Sequence, residues 1–177
     1  MKRTAARVLA GVVLAAMALT VGRGTWSRLH AAGRSAKPSS EAGRSDTPVD
    51  PWTSAQTVQP EELAKELSEA KAGERPTIAC VGFRVLYEGG HIPGASYHGP
   101  ASKDDGLADL KKWAEGLRRS ANLVVYCGCC PIARCPNLRP AFTALHTMGF
   151  TRLRVLLLPQ NFATDWAGKG YPVAKGL

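Results

Sequence analysis

Three short runs, "TIACV" at 77–81, "LVVY" at 123–126 and "RVLLLP" at 154–159, are almost entirely apolar and alternate with longer stretches of helical period. Each is too short for a buried helix and too uniform for a strand with one wet face, so each fits a strand covered on both sides. "PEELAKELSEAK" carries Pro60 where a first turn tolerates it, Glu61 and Glu62 at the positive end of the dipole, and Leu63, Leu67 and Ala70 along one face, with Gly73 as its stop. "GLADLKKWAEGL" repeats the pattern through Leu107, Leu110, Ala114 and Leu117, leaving Lys111 and Lys112 on the solvated side. "PNLRPAFTALHTM" is the next helix, ended by Gly149, and "ASYH" at 95–98 is a further strand after a turn-rich link. The tail "NFATDWAGKGYPV" reads as a last short helix and a turn. Strands separated by helical stretches predict a single α/β domain: a mostly parallel sheet with helices on both faces.

That domain spans 51–177. Ahead of it, Lys2, Arg3 and Arg7 precede an uncharged run from Val8 to Gly22, which gives residues 1–22 the character of a signal peptide or a membrane anchor. The run is shorter than the ~20 apolar residues of a usual span, and "AMA" at 16–18 offers a cleavage pattern, so export with cleavage is expected, with a tether through residues 8–22 as the alternative. The expected location is periplasmic. Residues 23–50, rich in Ser, Gly, Ala and Arg without an apolar period, read as a flexible linker. The net charge of +9 divides into eight basic and three acidic side chains over 1–50, and fifteen and eleven over 51–177. The domain alone is therefore only +4, and no basic stripe interleaves with aromatics, which argues against a nucleic-acid partner.

Four of the five cysteines fall in nine positions, within "YCGCCPIARCPN". Cys127 directly follows the strand "LVVY", and ligands of parallel sheets bind outside the carboxyl ends of strands. A helix starting near Asn137 and the nearby Arg134 and Arg139 would favour a thiolate there and hold a small anion. Cys129, Cys130 and Cys135 admit three roles: a resolving thiol, a disulfide that shapes the loop in an oxidising compartment, or, with Cys127, ligands for a thiophilic metal. Against the metal, vicinal Cys129 and Cys130 would struggle to chelate one ion together. Cys80 reads as a core residue, His91 as a loop-fixing side chain, and Phe162 and Trp166 as core seals with Trp113 at the edge. His98 and His146 show no partner pattern.

Three stretches in register, "GHIPGA" at 90–95, "VVYC" at 124–127 and "WAGKGYPV" at 166–173, resemble the rhodanese (sulfurtransferase) family over about residues 52–173. The resemblance implies that Cys127 accepts a sulfane sulfur as a persulfide and passes it to cyanide or a thiol. The partners it implies are a small sulfur-containing anion and a thiol acceptor, with no organic cofactor and no metal. Two departures stand out: Cys80, Val81 and Gly82 occupy the place of the family's Asp-Val-Arg pattern, and the loop after Cys127 is longer than usual. Phosphatases of related fold use Cys-x5-Arg, whereas Arg134 lies six, four and three intervening residues from Cys127, Cys129 and Cys130, so phosphoryl chemistry is not expected. The alternatives to a transferase are a metal-binding module built on Cys127, Cys129, Cys130 and Cys135, or a non-catalytic rhodanese fold for redox sensing or protein interaction.

Overall fold

A computed structural model of the chain describes residues 49–71 and 73–177. The expected signal or anchor and nearly all of the expected linker lie outside the described residues. Among the described residues no helix is long and apolar enough to cross a membrane.

The strands are β1 (Thr57–Val58), β2 (Thr77–Cys80), β3 (Ser96–Tyr97), β4 (Leu123–Tyr126) and β5 (Leu153–Leu156). They form one sheet in the order β1-β5-β4-β2-β3, and every pair in it is parallel. The helices are α1 (Pro60–Glu69), α2 (Arg84–Gly89), α3 (Asp104–Glu115), α4 (Leu138–Thr147) and α5 (Phe162–Asp165). Central position explains why all four residues of β4 are buried, as the uniform run at 123–126 predicts.

Strand parity divides the core into two layers. Ala79, Val81, Leu123, Val125, Leu153 and Val155 point to the face covered by Leu110 and Ala114 of α3 and by Leu138, Ala141, Phe142 and Leu145 of α4. Ile78, Cys80, Val124, Tyr126 and Leu156 point to the other, against Leu63 of α1, Tyr87 of α2 and Trp166. Each fully buried large side chain contributes ~1.5–3 kcal/mol relative to exposure, so both layers are needed to hold the sheet. Cys80 and Cys127 fall on opposite faces by this parity, which leaves Cys80 in the core and puts Cys127 with α4.

Two elements escape the sequence reading. The segment taken as a turn-rich link contains α2, whose Val85 and Leu86 are 73% and 47% exposed and so break any apolar period, and β1 is only two residues long. Helix α1 starts with a box in which the Gln59 amide donates to Glu62 Oε2 at 2.9 Å, and it ends at Glu69, before Gly73.

From β2 the chain crosses to β3 on one side of the sheet, and from β4 it crosses to β5 on the other. The carboxyl ends of β2 and β4 therefore flank the switch point where parallel sheets open a crevice. Cys127 and Gly82 are the residues at that opening.

Candidate active site

Past the end of β4 the chain turns at Gly128, which adopts φ 73°. A side chain there is doubly obstructed: the left-handed backbone disfavours it, and its Cβ would lie 2.7 Å from Cβ of Phe162. The Gly128 carbonyl accepts the Phe162 amide at 3.1 Å, which ties the cysteine loop to the start of α5. Gly82 is the second close approach. A Cβ at that position would lie 2.6 Å from the Cys127 carbonyl oxygen and 3.1 Å from Cys127 Sγ. Glycine at this position thus lets the end of β2 close on the cysteine loop.

The turn gathers sulfur. Cys127 Sγ donates to Cys129 Sγ at 3.0 Å, and Cys129 Sγ lies 3.1 Å from Cys130 Sγ. All five cysteines are free thiols, and these contacts are hydrogen bonds rather than the ~2.05 Å of an S–S bond. Cys127, Cys129 and Cys135 bring their sulfurs within 4.8 Å of one another, a spacing in reach of one soft ion. Cys130, although its sulfur touches that of Cys129, is not one of this trio, which is closed by Cys135 at the end of the 3₁₀ turn Ile132–Arg134.

Asn137 is the site residue that sequence reasoning missed. It stands at the start of α4 but does not cap it; instead its buried side chain donates through Nδ2 to Cys127 Sγ at 3.3 Å and to Cys129 Sγ at 3.9 Å. Its Oδ1 accepts the Ser102 amide at 3.0 Å. The only signal in the sequence was an Asn at a helix start, which ordinarily means a cap.

Cys129 opens onto a cleft of about 650 Å³ between the loop, α2, α5 and the segment 173–175. Cys127 is 4% exposed and lies behind Cys129, off the cleft lining.

No family model and no curated protein matches the sequence. Solved structures do match. The rhodanese-like domain of an Anabaena protein, determined in solution by NMR, is 25% identical with a TM-score of 0.50, over 68% of this chain and 79% of that one. The described domain has a rhodanese-like fold. A crystal structure from the same Anabaena protein superposes with a TM-score of 0.51 at 23% identity, over 67% and 82% of the two chains. A Bacillus halodurans protein gives 0.53 at 17%, over 68% and 77%, a likeness of fold alone.

Within this rhodanese-like domain the charge of the cluster follows from its hydrogen bonds. Donation to Cys129 and Cys135, together with burial, holds the proton on Cys127 and raises its pKa far above the thiol range. The same S–H lowers Cys129 to about 6 and Cys135 to about 7. One proton cannot serve both partners at once. The 3.0 Å contact assigns it to Cys129, while Cys135 also receives the backbone amides of Asn137 and Leu138. The amides expected around Cys127 thus serve Cys135. Burial first, and then Cys129, push Cys130 up to about 12, and burial pushes Cys80 up to about 11.

Neither expected anion-holding arginine lines the cleft. Arg139 pairs with Asp50 at 2.6 Å, donates to the carbonyls of Cys135 and Ala133 at 3.2 and 3.3 Å, and lies over the Trp52 ring, so it braces the loop. Arg134 is exposed at the end of its 3₁₀ turn. His91 fixes its loop as expected: Nδ1 lies 2.9 Å from the Tyr87 carbonyl and the ring stacks on Tyr87. His98 has partners the sequence did not reveal, Asp109 at 2.8 Å and the Trp113 ring.

Proposed function

We propose that this rhodanese-like chain is a sulfurtransferase that moves a sulfane sulfur through a cysteine persulfide formed at the carboxyl end of β4. The observation that carries the reading is the placement of two sulfurs 3.0 Å apart, Cys129 on the cleft wall and Cys127 behind it. The resemblance in sequence assigns acceptance to Cys127. The order of burial supports a division of labour instead, in which Cys129 meets the donor and Cys127 stands ready to resolve the product.

In the first step the Cys129 thiolate attacks the outer sulfur of the donor. A Cys129 S–S bond forms, the donor's own bond to that sulfur breaks, and the leaving group departs with the electron pair, as sulfite when thiosulfate is the donor. An external thiolate or cyanide that attacks the outer sulfur carries it away and restores the Cys129 thiolate. When no acceptor arrives, Cys127 attacks the inner sulfur; a Cys127–Cys129 disulfide forms, and the persulfide's outer sulfur leaves with the Cys127 proton as hydrosulfide. An external dithiol then reduces the disulfide. Asn137 Nδ2, facing both sulfurs, stabilises whichever carries charge. We place this activity outside the cytoplasm on the strength of residues 8–22, which lie outside the described residues.

Intact-mass measurement after incubation of the reduced full-length chain with excess thiosulfate tests the reading. Wild type gains one sulfur atom that cyanide removes when added at once; left without an acceptor, it releases hydrosulfide and ends two hydrogen atoms lighter than the reduced chain. Cys129→Ser gains none, whereas Cys127→Ser gains it and releases no hydrosulfide. Uptake that survives in Cys129→Ser and is lost in Cys127→Ser returns the acceptor role to Cys127; uptake that survives both changes removes the cluster from the reaction.

A further inference from the structure

Exposed apolar side chains are few in this domain and they are not scattered. Among the described residues the large hydrophobics left in solvent are Val49, Phe83, Val85, Leu86, Val173 and Leu177. Val49 and Leu177 lie at the ends of the described chain. Of the other four, Val85, Leu86 and Val173 line the same cleft as Cys129, and Phe83 directly precedes α2. Concentration of unsatisfied apolar surface marks a contact site. Phe162, Ala163 and Ala167 complete the apolar wall.

The polar side of the cleft is sparse. Lys175 is the one cation in the lining, and no carboxylate of the described residues forms an ion pair with it. Arg84, the nearest arginine in sequence, is turned onto the Tyr97 ring and toward Glu88. An inorganic oxyanion with charge spread over several oxygens needs a ring of converging donors. Besides Asn161, whose Oδ1 accepts the Thr164 amide at 2.9 Å, the cleft offers one ammonium and an apolar wall, and its volume of about 650 Å³ is that of a small-molecule site rather than a single-ion cradle.

We propose that the Cys129 cleft takes an organic sulfane-sulfur donor with an apolar body and a single negative charge, in preference to inorganic thiosulfate. The proposal rests on the sulfurtransferase reading of this site and names its substrate class. The apolar body lies against Val85, Leu86 and Val173, Lys175 faces the anionic group, and the sulfane sulfur meets Cys129. With an organic thiosulfonate, Cys129 forms a bond to the sulfane sulfur, the bond between that sulfur and the sulfonyl sulfur breaks, and the sulfinate leaves with the electron pair.

Thiosulfate and benzenethiosulfonate form a matched pair, because one anionic oxygen of the first is replaced by a phenyl ring in the second. Loss of the reduced full-length chain, to the persulfide and to the disulfide that follows it, is measured by intact mass with each donor, and each rate is divided by the donor's rate with free N-acetylcysteine to remove intrinsic reactivity. The expected result is a normalised preference of ~10-fold or more for the aromatic donor, the order expected from burying part of one ring. Val85→Asp, at a position 73% exposed and so harmless to the core, narrows that preference. Lys175→Gln lowers the rate with benzenethiosulfonate, most strongly at low ionic strength.

Benzenesulfinate, which has no sulfur to give, reports binding alone through chemical-shift changes at Gly128, Cys129 and Val173. Sulfinate binding weakened by Val85→Asp, with no persulfide from either donor, keeps the cleft assignment and removes the transferase reading. Equal normalised rates, with no effect of Val85→Asp on rate or sulfinate binding, overturn the cleft assignment while the transferase stands, and leave the apolar rim to a protein partner.

Discussion

Asn137 Nδ2 lies 3.3 Å from Cys127 Sγ, and this contact joins the amino end of α4 to the carboxyl end of β4. Because Asn137 Oδ1 also holds the Ser102 amide at 3.0 Å, one buried amide spans three segments of chain. Asn137→Leu strands the Ser102 amide and releases Cys127, with a cost of ~1–3 kcal/mol for the lost buried partner. Denaturant unfolding measures that cost. Alkylation of Cys127 in the folded state should also speed up, and an unchanged midpoint together with unchanged alkylation would show the side chain to be idle.

The closure of β2 on the cysteine loop depends on the missing side chain at 82. Gly82→Ala places a methyl 2.6 Å from the Cys127 carbonyl oxygen, a backbone atom that cannot rotate away. Overpacking of this kind costs ~1–3 kcal/mol. The variant should unfold at lower denaturant and take up sulfur more slowly. Wild-type behaviour in both respects would mean that the cysteine loop yields to the methyl at no cost.

The hydrogen bond from Cys127 sets a pH signature on Cys129. Its pKa, lowered to about 6, makes the thiolate half-populated near that pH and nearly complete a unit or so above it. Iodoacetamide labelling of Cys129, followed by peptide mass, should therefore reach a plateau above neutrality, whereas an ordinary thiol continues to gain reactivity through pH 8–9. Cys127→Ala removes the donor and should shift the profile upward. A wild-type profile that already climbs through pH 9 would contradict the assignment of the proton to Cys127.

Arg139 separates bracing from substrate binding. Its guanidinium ties Asp50 to the carbonyls of Cys135 and Ala133. Arg139→Leu should lower thermal stability by ~1–2 kcal/mol, since it breaks a partly buried charged pair and two carbonyl contacts. The Michaelis constant for the sulfur donor should stay within about twofold, because a tenfold change would need ~1.4 kcal/mol of direct contact. A large rise in that constant with unchanged stability would restore the anion-binding role expected from the sequence.

What the sequence determined by itself is the set of elements whose composition carries its own explanation. β2, β4 and β5 are buried on both faces, so their apolar runs stand out whatever their neighbours are, and α1, α3 and α4 show the period of a helix with one dry side. The position of Cys127 followed from the same logic, because a residue next after a central strand must lie at the sheet's carboxyl edge. Helix α2 was hidden because Val85 and Leu86 face outward, toward a cleft that exists only once the chain is folded.

Tertiary structure decided where each sulfur sits and what it touches. The sequence supplies four cysteines in one loop, but the exposure of Cys129, the burial of Cys127 and the return of Cys135 depend on Gly82 closing from β2, Gly128 turning against Phe162 and Asn137 reaching across from α4. It also paired Arg139 with Asp50, eighty-nine positions earlier in the chain. The physical reason is common to all of these: a thiol's ionisation and an arginine's partner are fixed by groups within a few ångströms in space, and those groups come from segments that local pattern does not connect.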